Sequence, residues 1–132
     1  MRATNPTQAV YDLLAPYPPE VRNLALATRE YLLNLIPEAV EQANPKNKVI
    51  GYGFGSRYID VVCALMPTKA GITLGIGWAT ELPDPEKLLE GTGKVHRHVK
   101  IKSKSDLRTP ALRTLLKAAH KATLARREKA GK

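Results

Sequence analysis

His96, His98, Lys100, Lys102 and Lys104 recur at every second position. In an extended chain, side chains two apart share a face. One face of a strand here is therefore cationic, while Val95, Val99 and Ile101 fall on the other with Arg97 among them. Farther along, Arg113, Lys117 and Lys121 step four residues at a time through a helical pattern, with His120 and Arg127 near the same stripe. Positive side chains spaced this way suit contact with phosphates. The candidate anion-binding set is His98, Lys100, Lys102, Arg113, Lys117 and Lys121.

The charge distribution agrees. The chain of 132 residues is +9 overall, but residues 1–93 sum to −2 and residues 94–132 to +11. Three histidines lie in the basic part and add charge below about pH 6.5. A nucleic acid or another polyanion is the expected partner. The plainer alternative is a solubilising surface. No exposed aromatic motif in this region supports base-specific reading.

Other chemistries are less well supplied. His96-x-His98 lacks a third ligand at matching spacing and is flanked by lysines, so no metal site is expected. Gly91-Thr92-Gly93-Lys94 departs from a phosphate loop, with Leu88 where a glycine is required and Val95 where Ser or Thr is required. Ser56, Ser103 and Ser105 have no acyl-transfer motif around them. Cys63 sits in the apolar run Val61-Val62-Cys63-Ala64-Leu65-Met66 and is expected to be buried and inert. Gly51, Gly53 and Gly55, then Gly75 and Gly77, each share one face of a strand pattern. Close packing of a helix or strand curvature explains such glycines. A shallow ligand groove is the alternative, with Arg57, Tyr58, Trp78 and Arg97 as its candidate lining. Arg97 on a core face requires an anionic partner, and Asp84, Glu86 and Glu90 are nearest in sequence.

These residues must be positioned by a small fold. Hydrophobic residues are 43% and charged residues 25%, which excludes a disordered chain and fits one soluble domain. A single cysteine excludes a disulfide scaffold. The absence of a long apolar run, and of a leader at the N-terminus, leads to the expectation of a cytoplasmic protein with no membrane contact. Asn5-Pro6 starts a short helix ended by Pro16. Pro18-Pro19-Glu20 starts a second, with Val21, Leu24, Ala25, Leu32, Leu35 and Ile36 on its buried face. Pro37 closes it or begins a turn over 38–42, and 43–48 reads as a loop. Strands are expected at 49–54, 58–66, 72–78 and 95–102, and a short helix at 86–90. Short turns make the strands antiparallel. A last helix starts at Thr109-Pro110, runs to about Arg127 and buries Leu112, Leu115, Leu116, Ala119 and Thr123. The class is α+β: an antiparallel sheet of four or more strands with N- and C-terminal helices packed on one face. Residues 1–125 form the single domain and 126–132 a basic tail.

The stretch Leu82-Pro83-Asp84-Pro85-Glu86-Lys87-Leu88-Leu89-Glu90-Gly91-Thr92-Gly93-Lys94, followed by Arg97-His98-Val99-Lys100-Ile101, closely resembles the YdhG-like domain family, a bacterial domain of unknown function. Pro19-Glu20-Val21 and Ile50-Gly51-Tyr52-Gly53 are similar too. The resemblance covers about residues 18–120 and implies a frataxin-like two-layer α+β fold. It also implies two expected activities, the iron chaperoning described among relatives and the DNA binding predicted for another group of similar fold. Frataxin-type iron binding uses an acidic ridge, whereas the first helix here carries only Asp12.

The reading is a small non-enzymatic binding domain, a monomer or weak homodimer without cofactor, contacting an anionic partner through a basic C-terminal face. The alternative is an iron chaperone using Glu20, Glu30, Glu38 or Glu41. A third is a small-molecule binder or enzyme at the glycine-lined sheet face.

Overall fold

The computed structural model describes residues 5–55, 57–77, 82, 89–91 and 97–130. Two helices, a five-stranded meander and a long helix follow in chain order: α1 Gln8–Leu14, α2 Pro19–Leu35, β1 Val40–Asn44, β2 Val49–Gly53, β3 Val61–Pro67, β4 Ile72–Ile76, β5 Arg97–Ile101 and α3 Pro110–Ala130. The strands lie side by side in sequence order, every pair antiparallel. This is the expected α+β class.

Two-residue alternation decides the faces. Register places Ile50 beside Leu65, Leu65 beside Leu74 and Leu74 beside Val99. All four are buried, together with Tyr52, Cys63, Ile72, Ile76 and Ile101. The helices supply the other half of the core. Val10, Leu13 and Leu14 come from α1, Val21, Leu24, Ala25, Leu32 and Leu33 from α2, and Leu112, Leu115, Leu116 and Ala119 from α3. Each fully buried Leu or Ile contributes roughly 1.5–3 kcal/mol relative to exposure. The opposite sheet face carries Gln42, Gly51, Ala64, Gly75 and His98 in one row across all five strands.

Helix boundaries follow local chemistry. Pro19 occupies the first helical position of α2, where a missing N–H costs nothing. Thr7, rather than Asn5, precedes α1. Before α3, Asp106 accepts from the backbone N–H of Lys102 and Ser103 in a capping box, starting the 3₁₀ turn Lys104–Arg108.

Three expectations are corrected. Residues 40–44, read as turn and loop, form the edge strand β1. Its inward side chains are Glu41 and Ala43, one charged and one small, so hydrophobic alternation does not mark it. Residues 58–60, read as the start of a strand, form the 3₁₀ turn Tyr58–Asp60. The segment from residue 126, read as a tail, continues α3 to Ala130. The helix expected over 86–90 falls mostly outside the described residues. Glu90 itself is not helical, because its backbone N–H and C=O exchange hydrogen bonds of 2.7 and 3.0 Å with His98 on the free edge of β5. Gly91 follows at φ 107°, a left-handed conformation that favours glycine, with the His98 ring where a Cβ would touch.

Gly53 is a site of close approach. The β2–β3 register shifts between Tyr52 and Gly53, and a Cβ on Gly53 would collide with the Asp60 carbonyl and the Val61 Cα. Backbone cannot step aside cheaply. Gly51 has open space, its nearest neighbour being the Gln42 carbonyl at 3.9 Å. Gly53→Ala is therefore expected to lower stability by about 1–3 kcal/mol or more. Gly51→Ala is expected to be neutral or to raise stability by up to about 1 kcal/mol. Chemical denaturation of the two variants checks the contrast.

Candidate anion-binding surfaces

The two basic strips lie on opposite sides of the molecule. Val99 and Ile101 of β5 face the helices, so His98 and Lys100 point away from them. Leu112, Leu115, Leu116 and Ala119 of α3 face the sheet, so Arg113, Lys117 and Lys121 point away from it. All three are exposed. Helix and sheet together separate the strips. The single continuous basic face expected from the alternation and helical spacing does not form, because each strip belongs to the outer side of its own layer.

Their electrostatic settings differ as well. Lys100 lies 3.8 Å from Glu90, both about half exposed, a pair worth about 0–1 kcal/mol. His98 is half-buried, with its backbone taken by Glu90. Lys102 is exposed beyond the strand. Among the described residues no carboxylate lies within ion-pair distance of Arg113, Lys117 or Lys121. Leu124, exposed, falls on the same stripe by helical projection.

Asp60 forms a third centre, which the sequence reading did not single out. The 3₁₀ turn places Arg57 and Asp60 three residues apart on one side. Arg57 donates from Nε to Oδ2 (3.0 Å), from Nη2 to Oδ1 (3.1 Å) and from its backbone N–H to Oδ2 (3.2 Å). Arg127, from the far end of α3, donates from Nε to Oδ1 at 3.0 Å. The Asp60 side chain is only 4% exposed, against 59% for Arg57 and 37% for Arg127. The Arg127 guanidinium also lies over the Phe54 ring, 5.2 Å from its centroid. His120 stacks on the same ring at 5.5 Å and approaches Glu38 Oε1 to 2.8 Å through Nε2. Gly55 keeps the turn bare where a Cβ would strike the Asp60 carboxylate.

The remaining candidates are placed as follows. Arg57 is engaged by Asp60. Arg97 sits opposite Ile76 in the register, half-buried at one end of β5. Trp78, His96 and the side chain of Tyr58 lie outside the described residues. Gly51 and Gly75 do lie on the sheet face away from the helices, with the Met66 methyl over Gly75. Of the four glutamates weighed for iron, Glu41 accepts from Arg29 Nε and Tyr52 Oη, both at 2.7 Å. Glu38 faces His120. Glu20 and Glu30 are exposed on α2. No three His, Cys, Asp or Glu converge among the described residues. Burial pushes the Cys63 thiol up to about 12, where a thiolate does not form at neutral pH. No helix among the described residues is long and apolar enough to cross a membrane.

Hydrogen bonding from Arg57 holds the Asp60 carboxyl below the usual carboxylate range, against the opposing effect of its burial and with the help of Arg127. A depressed native pKa gives stability that is present above the unfolded value, about 3.9, and lost as pH falls through the native one. Asp60→Asn is expected to unfold at lower urea concentration than the parent at pH 7. The gap should close as the pH falls below about 4. Urea midpoints measured across that range check both the sign and the window.

No family model, curated protein or solved structure matches the chain.

Proposed function

We propose that the protein is a small non-enzymatic domain that contacts an anionic partner, nucleic acid first, through the outer face of α3. The observation that carries this is the row Arg113, Lys117 and Lys121, which is exposed, spaced at one side chain per helical turn and free of carboxylate neighbours among the described residues. A four-residue step advances about 6 Å along a helix. The row therefore offers a line of separate positive charges to a chain of phosphates. Affinity from such contacts is electrostatic and independent of base sequence.

His98 and Lys100 are not part of this contact, since they face the other way, and Lys102 lies beyond the strand. Iron carriage has no site among the described residues to support it. We keep the YdhG-like resemblance as a proposal, supported by the order of two helices, antiparallel meander and closing helix.

Replacing Lys117 and Lys121 together by alanine is expected to weaken oligonucleotide binding and flatten its salt dependence. The slope of log K against log salt should fall by about 1.8 for duplex DNA or 1.4 for a single strand. Lys100→Ala, on the opposite face, should leave the slope unchanged. Fluorescence anisotropy across a salt series measures all three proteins. Absence of binding even at low salt, or an unchanged slope in the double variant, would overturn the reading.

A further inference from the structure

We propose that Arg57 and Arg127, gathered on Asp60, form a phosphate-gripping pair at the edge of the α3 strip. This deepens the anionic-partner reading and rests on it for the partner's identity. A guanidinium carries five N–H groups. Arg57 commits two of them to Asp60 and Arg127 commits one. Among the described residues nothing else accepts from either guanidinium, so Nη1 and the second Nη2 hydrogen of Arg57 and both Nη groups of Arg127 remain available.

The carboxylate cannot take more. Oδ1 accepts from two guanidinium nitrogens, and Oδ2 accepts from the side chain and backbone of Arg57. That fills about four lone-pair directions. One buried negative charge is set against two positive ones, leaving the cluster net positive on its exposed side. A structural ion pair needs only one arginine. The second adds charge and donors beyond what neutralising Asp60 requires, on side chains that are 59% and 37% exposed.

Geometry fixes both forks before any ligand arrives. Arg57 is held side-on through two nitrogens. Arg127 is held at its edge by Asp60 and on its face by Phe54. Arginine recognises phosphate through paired N–H groups in a plane, and prior alignment reduces the entropy lost on binding. By helical projection Arg127 and His120 flank Arg113 and Lys117, so a strand of phosphates lying along α3 runs toward the pair.

The ligand chemistry is a phosphate group, and its source is either a nucleic-acid strand or the free ion. Side-chain guanidinium resonances of Arg57 and Arg127 are followed by NMR during titration with inorganic phosphate, then with an oligonucleotide. Saturable shifts at both arginines with phosphate, weakened at least about tenfold in Arg57→Lys, are expected. Lysine keeps the charge and loses the fork, so a purely electrostatic site would not distinguish the two. Arg127→Lys serves the same purpose if Arg57→Lys fails to fold, with the urea midpoint as the check. Shifts with phosphate but none with the oligonucleotide would support the grip and remove the nucleic-acid reading. Oligonucleotide binding that perturbs Lys117 and Lys121 but leaves both arginines unmoved would overturn the grip and leave the α3 reading standing. Linear, unsaturable shifts with phosphate would reduce the cluster to a structural tie and overturn it equally.

Discussion

One buried carboxylate ties the end of the chain to its middle. Asp60 sits in the turn between β2 and β3, and Arg127 reaches it from 67 residues later. The same residue closes its own turn, since its carbonyl accepts from Phe54 N–H and its N–H donates to the Arg57 carbonyl, both at 2.9 Å. The bulge at Gly53, the bare position at Gly55 and the docking of α3 past its midpoint all meet here. A buried charge without partners would be costly, and this one is tied to two arginines from distant parts of the chain. In return the last turns of α3 are held as helix.

A second buried ionic group works at the sheet edge. Glu41 points inward from β1 and takes bonds from Arg29 and Tyr52, which are both buried. Burial, and then the carboxylate beside it, push the Tyr52 phenol well above its ordinary range, so it stays a neutral donor. Removing one partner from such a group typically costs about 3–5 kcal/mol, because the other charge is left buried. The group thereby sets which way β1 faces and where it meets α2.

Much of the fold was legible because it rests on apolar period. The buried face of α3 was read residue by residue from its spacing, and β4 and β5 from alternation. On α2 the spacing gave Val21, Leu24, Ala25, Leu32 and Ile36 but missed Leu33, Thr28 and Arg29, and Leu35 is only partly buried. The failures share a cause. At β1 one inward residue, Glu41, is charged and the other, Ala43, is small, so the apolar signal fades although the strand forms. At residues 58–60 the β-prone Tyr58 and Ile59 read as strand, but Asp60 needs the tight turn to accept from Arg57. The basic strips were legible singly and misjudged jointly, since spacing gives the outward side of each element but not which layer that element occupies. Within the Asp60 cluster only the three-residue step from Arg57 was a local clue. Arg127, Phe54 and His120 are brought there by tertiary packing alone.

The two ends of the sheet are finished differently. Glu90 seals part of the border beside β5, whereas among the described residues no strand lies alongside the outer border of β1. An unsealed border invites a neighbouring molecule to continue the ladder. Here the newcomer would meet a strand of only five residues whose inward carboxylate already accepts from Arg29 and Tyr52. Sliding that strand by a single step, to suit a foreign partner, would turn Glu41 out and expel its two companions from their arrangement. The device that orients β1 thus also guards the protein against stacking with itself.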